Sequence, residues 1–459
     1  MKSGIAILVV VFMTLAGSVD AGAEEGLTLE SALRQAWDEG RDVELALARV
    51  AEQEAALGVA RSERWPSFAF SQRMTRVDSS TVERANSAAT GLSLLIGFEI
   101  PPFVFEDSYR TQLEASLPLW TSGARRASID GAAAGLEARR AGLDASQRTV
   151  ARQVVARFYG LARAEAVGEA RRQALVRAER RLAEAERRQD LGLGTRQEVL
   201  RWKVEVEGAR AALASSEADG LVARLDLADV LGSGLDQLGI LVLPGTSIIE
   251  ALLEWAESID PMVVLSAAEE DLDESPEVRS ATAERSAADS AVAGARALRR
   301  PRLDAAAAYG WLENETLELD EFENWSASLV LTVPLDLRGR ERQEVARREA
   351  RRRAADVAVE EARAGRRLEL GRALAELGRA RARLRSARRA TDEAGARREL
   401  LVRRSEIGLA SLLDLVDADT TLVDAEVGLA TARVDLLAAV AAVELAWPDA
   451  DPPGGGLIP

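Results

Sequence analysis

The stretch "LGLGTRQEVL", Leu191–Leu200, returns as "IGLASLLDLV", Ile407–Val416, 216 positions later. Gly192 answers to Gly408, Thr195 to Ser411 and Glu198 to Asp414. Glycine ends a helix in the left-handed conformation that costs it least. Thr195 to Glu198 and Ser411 to Asp414 both read [ST]-x-x-[ED], the capping box that opens a helix. Each copy is therefore the tip of a helical hairpin, and the chain builds that tip twice.

Outward from the tips the duplication continues. "LPLWTSG" (117–123) matches "VPLDLRG" (333–339) at the same offset. Further upstream the offset changes: "RWPSFAF" from Arg64 pairs with "RPRLDAA" from Arg300, and "RDVE" from Arg41 resembles "SPEV" from Ser275. The first copy thus carries roughly twenty extra residues between its two proline landmarks. Each unit has one order. A helix (29–63; 276–298) precedes two strands (about 65–77 and 108–119; about 301–312 and 324–335), a long helix (124–189; 340–406), the tip, and a shorter helix (196–231; 412–446). The expected organisation is a first repeat over 24–233 with hairpin 124–231, and an acidic segment over 234–275. A second repeat over 276–447, with hairpin 340–446, and a flexible tail over 448–459 follow.

Leu415, Ala418, Leu422, Ala425, Leu429, Ala432, Leu436, Ala439 and Val443 step by three and four, as do Val199, Trp202, Val206, Ala209 and Leu213. That is a coiled-coil seam, with alanine permitting close approach. Helices of about 67 residues reach roughly 100 Å. Two shorter helices end to end would match one long one, giving a rod with strands at one end and tips at the other.

The strands alternate. Tyr109, Thr111, Leu113, Ala115 and Leu117 share one face, while Arg110, Gln112, Glu114 and Ser116 share the other. Trp325, Ala327, Leu329, Leu331 and Val333 do the same in the second unit, and Phe68, Phe70, Met74, Leu303, Ala305, Ala307 and Tyr309 continue the pattern. Short alternating segments with aromatics near their ends are the mark of outer-membrane strands. Trp65, Trp120, Trp311 and Trp325 are read as an interfacial girdle. Four strands cannot close a barrel, and lipid tolerates no open edge. The protein should therefore oligomerise; eight, twelve or sixteen strands are all compatible with the physics.

Composition narrows the chemistry. The chain has no histidine and no cysteine, so histidine triads, most zinc sites, disulfides, thiol chemistry and a lipid-bearing cysteine are out. No cofactor, metal site or catalytic residue is expected. Lys2, an apolar run over 5–16 and "AGA" at 21–23 read as an export signal over 1–23. A net charge of −16 argues against a nucleic-acid binder. Yet 338–404 carries 22 Arg against 11 acidic residues, read here as a solvated face whose arginines pair with acidic neighbours.

"TLESALRQA" near the mature start, the "LPLW" and "VPLD" strand ends, and "LGLGTRQEVL" with "IGLASLLDLVDADTTL" at the tips together resemble the TolC-like outer-membrane efflux protein family. The resemblance covers nearly the whole mature chain. It implies a mostly α protein with a membrane β-barrel part: a homotrimer whose twelve-stranded β-barrel in outer-membrane lipid continues as a twelve-helix periplasmic α-barrel. The chain would be a passive exit duct for tripartite efflux or type I secretion, without enzymatic chemistry. Its partners would be a periplasmic adaptor and an inner-membrane pump of RND, ABC or MFS type. Segment 234–275 would belong to an equatorial collar, and the residues around Asp78 to Asp107 would plug or shape the outer mouth.

The resemblance also assigns roles. Asp414 and Asp417 match carboxylates that ring the pore constriction, and such rings favour cations. Asp414 serves equally well as a capping residue; Asp417 is not needed for the cap. Gly192, Leu193, Gly194 and Thr195, with Gly408, Leu409, Ala410 and Ser411, form the tips that would dock the adaptor. A basic residue common near the second tip is replaced by Ala410, which makes Arg196, Arg403 and Arg404 the candidate gate partners, with Glu198 beside them. The rival reading is a soluble periplasmic coiled-coil adaptor or scaffold, which would not need two alternating strand pairs. A hydrolase working with carboxylates alone finds no carboxylate pair outside solvated helices and loops.

Overall fold

The fold was obtained as a computed structural model, and describes residues 26–98, 104–269, 271–313, 323–407, 409–447, 450 and 452. The expected export signal and most of the expected tail lie outside these residues.

The first unit opens with α1 (Leu29–Glu39) and α2 (Arg41–Ser62). The single helix expected over 29–63 is broken at Gly40, whose backbone is extended. A Cβ there would lie 2.1 Å from the Ala36 carbonyl oxygen, so only glycine lets the chain turn so tightly over α1. After α2 come β1 (Ser67–Arg76), α3 (Ser79–Ile96), β2 (Asp107–Trp120), α4 (Ala124–Asp190) and α5 (Arg196–Leu231). The extra residues of the first copy thus form a helix, capped by Asp78 through the Thr81 amide. Between the units lie α6 (Thr246–Ser258) and α7 (Pro261–Ala268). The second unit is α8 (Pro276–Ala297), β3 (Arg302–Glu313), β4 (Glu323–Thr332), α9 (Arg340–Glu406) and α10 (Leu412–Ala446). β4 stops short of the expected 335 because Pro334 has no amide to give a ladder.

The long helices α4 and α9 have 67 residues each, about 100 Å. Near the strands α2, α4, α8 and α9 pack side by side; towards the tips the order is α5, α4, α10, α9. The short helices therefore stack end to end beside the long ones. None of the nine residues of the seam from Leu415 to Val443 is exposed. The main core lies midway along the rod, where Leu33, Phe158, Leu161, Leu227, Leu252, Leu384, Leu436 and Val440 are fully buried.

This middle region explains the arginine-rich helix. Arg363 pairs with Asp273 at 2.8 Å, Arg367 with Glu269 at 3.3 Å and Arg388 with Glu250 at 2.6 Å, and Arg385 pairs with Glu257. Arg381 donates to the Ala256 carbonyl at the end of α6. The inter-unit segment is thus an acidic belt across α9. Buried Arg366 donates to the Ala446 carbonyl at 2.6 Å and caps α10. The arginines pair with acidic neighbours as expected, and the partners on the inter-unit segment make many of them ties between elements.

The strands form one antiparallel sheet in the order β1-β2-β3-β4. Each strand pairs with its sequence neighbour, so β1 and β4 are edges with unpaired backbone groups.

Candidate functional site

The sheet presents two chemically distinct faces. Register places Phe70, Leu113, Tyr309 and Trp325 in one cross-strand row, and Phe68, Ala115, Ala307 and Ala327 in the next. Opposed residues share a face, so this side is a run of apolar rows from the helices out to the Phe70 row, followed by a mixed row of Gln72, Thr111, Trp311 and Glu323. Phe68, Phe70, Met74, Trp325, Leu329 and Leu331 are all exposed on it. The other side reads Ser71, Gln112, Gly310, Asn324 and Ala69, Glu114, Ala308, Ser326.

Three of the four tryptophans follow the apolar face. Trp311 and Trp325 lie on it at the end far from the helices. Trp120 joins it only because a register shift after Pro118 sets it opposite Leu303. Trp65 does not. It lines, with Ser67, Pro118 and Arg348, a cavity of about 980 Å³ on the polar side where the sheet meets the helices. It stands before Pro66, outside the alternation of β1.

At the other end the two tips repeat two hydrogen bonds. The Leu193 amide donates to the Arg188 carbonyl at 2.8 Å, and the Gly192 amide to the Gln189 carbonyl at 2.9 Å. Gly192 has φ +71°, the left-handed position of a Schellman turn. The Leu409 amide repeats the first bond to the Arg404 carbonyl, also at 2.8 Å; Gly408 lies outside the described residues. Thr195 accepts the Glu198 amide at 3.2 Å, and Ser411 the Asp414 amide at 3.2 Å. Only the second box is reciprocal, with the Ser411 amide donating to Asp414 Oδ2 at 2.9 Å. Glu198 makes no such return bond. Leu191, Leu193, Ile407, Leu409 and Leu413 are all exposed, so the tips end in an apolar crown.

Asp414 is held below the usual carboxylate range, first by the Ser411 hydroxyl, then by the Ser411 amide, with Arg397 and Arg404 nearby. Asp417 sits just beyond it and pairs with Arg397 at 2.7 Å. Of the expected gate partners, Arg403 pairs with Glu399 on its own helix, and Arg404 acts on Asp414 only through space. Arg196 stands exposed at the start of α5.

Sequence reasoning missed Arg397, although a signal existed. Its neighbour Arg398 and Asp419, which pair, are nearly equidistant from the hairpin's turn, and Arg397 reaches Asp417 from the adjoining position. Residues equidistant from an antiparallel turn meet. Behind both tips, Ala185, Val199, Trp202 and Val416 form a buried cluster that joins the two hairpins.

The outer helices of the protomer carry unpartnered seams. On α5, Leu200, Val204, Glu207, Ala211, Ala214, Ala218, Leu221 and Leu225 step by three and four and are exposed. On α9, Val357, Ala364, Leu368, Ala375, Ala382, Ala396 and Leu400 form another exposed stripe. The helical layer and the sheet therefore end alike, each with two unsatisfied edges.

Among the described residues no group of acidic side chains is arranged to hold a metal ion, and no helix is long and apolar enough to cross a membrane.

Comparison with known proteins adds three findings. A family model described as outer membrane efflux protein matches residues 32–233 and 267–447. No curated protein matches the chain significantly. Among solved structures, the chain is similar to the outer membrane protein VceC of Vibrio cholerae (TM-score 0.74, 20% identity, 94% of this chain and 96% of that one). It is also similar to the CmeC outer membrane channel of Campylobacter jejuni (0.74, 16%, 97% and 92%) and to the open state of the MtrE outer membrane channel of Neisseria gonorrhoeae (0.70, 20%, 94% and 89%).

Proposed function

The chain belongs to the outer membrane efflux protein family, a family of channels and not of enzymes, and we propose that its particular residues build a gated trimeric exit duct. The observation that carries the reading is the pair of matched open edges. β1 and β4 bound the sheet while α5 and α9 bound the helical layer. Lipid tolerates no free strand edge, and an exposed coiled-coil seam is stable when another helix covers it. Three copies meeting edge to edge, β4 to β1 and α9 to α5, satisfy both at once and give a twelve-stranded barrel above a twelve-helix tube. The apolar rows then face lipid, with Trp120, Trp311 and Trp325 at its borders, and the polar rows face the lumen. The soluble scaffold reading gives no account of that apolar face.

In this assembly Asp414 and Asp417 lie at the periplasmic end, three of each around the axis, and the tip leucines meet an adaptor that links the duct to an inner-membrane pump. Export depends on the leader over 1–23. The Arg397–Asp417 pair holds α10 against α9 and so keeps the constriction narrow. Substrates pass without chemical change, driven by the pump.

Single-channel conductance in planar bilayers tests the reading, for wild type and for Asp414→Ala combined with Asp417→Ala. A small cation-selective conductance, blocked by divalent cations and freed of that block in the variant, supports duct and gate together. Conductance untouched by the substitutions keeps the duct and returns both residues to capping and pairing. Folded trimer that inserts but never conducts defeats the duct.

A further inference from the structure

We infer that the outer part of the lumen holds a ring of arginines that binds exiting molecules through anionic groups. The inference rests on the duct reading, because it needs the polar face of the sheet to line a closed barrel.

Arg73 of β1 and Arg110 of β2 are direct cross-strand partners in the register. They lie on the polar side with Gln112, Glu114 and Ser116. Side chains directly opposed in an antiparallel pair sit within about 5 Å of each other at Cβ, and like charges there are destabilising. The chain nevertheless sets two guanidinium groups side by side. Both are exposed, and among the described residues neither has an ion-pair or hydrogen-bond partner. The next arginine along β1 shows the contrast: Arg76 is matched to Asp107 at 3.0 Å.

The surroundings make the pair stand out. The layers towards the helices are Ser71, Gln112, Gly310 and Asn324, then Ala69, Glu114, Ala308 and Ser326, then Ser67, Ser116, Ala306 and Ser328. These are mostly small and neutral. Glu114 lies four residues from Arg110, about 14 Å along the strand, too far for direct pairing. The third strand of the arginine layer supplies Leu312, the partner of Arg110. In a trimer six guanidinium groups and three leucines would share one layer near the outer mouth. Guanidinium forks suit carboxylate, sulfonate and phosphate, and the leucines suit an apolar body. The ligand class is therefore an amphiphilic anion leaving the duct.

The probe is a trisulfonated pyrene dye, titrated into detergent-solubilised trimer and followed by fluorescence anisotropy, which does not require an open gate. Wild type should bind it in a salt-sensitive manner. Arg73→Gln with Arg110→Gln should weaken binding by at least roughly tenfold, while Glu114→Gln should leave it equal or tighter. Equal binding by wild type and the arginine variant overturns the ring, as does absence of binding by wild-type trimer. Bilayer conductance on the same preparations separates the two ideas. If the channel conducts and dye binding is unchanged by the arginine substitutions, the ring alone fails. If folded trimer does not conduct, the duct reading fails and takes the ring with it.

Discussion

Arg397 Nη2 donates to Asp417 Oδ2 at 2.7 Å, tying α9 to α10 about two turns above the second tip. Both side chains are more than half exposed. Such a pair contributes little to global stability, about 0–1 kcal/mol, so its consequence should be local. Arg397→Ala should leave the unfolding temperature of the trimer within about 2 °C of wild type yet raise the fraction of time the channel conducts. Differential scanning calorimetry and bilayer recordings on the same variant check the two halves; a large loss of stability with no change in gating would count against the assignment.

The seams on α5 and α9 predict which side chains meet across the protomer boundary. Counted from the tips, Val204 and Leu400 lie at nearly the same height, and both are exposed on the isolated protomer. The chain has no cysteine, so Val204→Cys with Leu400→Cys introduces the sole thiols. Mild oxidation should give disulfide-linked dimers and trimers on a denaturing gel, and neither single variant should. A monomer band alone from the double variant would place those faces elsewhere.

Asp414 supplies a pH dependence with a definite sign. Its folded-state pKa is lowered, chiefly by the Ser411 hydroxyl. The stabilisation is therefore fully present above the ordinary carboxylate value, about 3.9, and is lost as pH falls through the lowered one. An environment-sensitive dye on Leu413→Cys should report an unchanged tip from neutrality down to about pH 4, with a transition only in stronger acid. Adding Ser411→Ala removes the main cause and should move that transition upward. A transition near neutrality in the parent protein would contradict the capping geometry.

Gly40 sets the angle between α1 and α2. With the Ala36 carbonyl oxygen 2.1 Å from where a Cβ would stand, Gly40→Ala forces the backbone to move. The cost should be on the order of 1–3 kcal/mol, as for other overpacked sites. Heat-driven dissociation of the trimer, read on a gel, should shift several degrees lower, whereas Gly58→Ala, which meets nothing within 4 Å, should not lower it.

The long elements were legible because their signals are periodic. The seam from Leu415 to Val443 and the alternation of Tyr109 to Leu117 each repeat often enough to define a face. The duplication carried the rest, since a second copy of the tip locates the first. What escaped depends on distance. The break at Gly40 follows from a carbonyl one turn away, and a glycine inside an otherwise helical pattern does not announce it. Trp65 looked like a girdle residue, but Pro66 takes it out of the strand's alternation. The Arg-rich stretch had no evident partner until the fold brought Glu250, Glu257, Glu269 and Asp273 against it. The exposed faces of α5 and α9 were overlooked because the buried seams beside them gave the stronger pattern.

In the proposed trimer, the hydrogen bonds shared by the two tips and the inequality of the two strand hairpins give two different symmetries. One hairpin carries α3 in the thirty residues between Arg76 and Asp107, whereas nine residues separate Glu313 from Glu323 in the other. Around a threefold axis, alternate tips share one turn geometry, so a body docking from below meets an almost sixfold face. A body approaching the opposite mouth meets a strictly threefold one. The same duct thus offers its two ends to partners of different rotational order, and a docking protein can engage every tip in equivalent fashion only if it repeats twice as often as the channel.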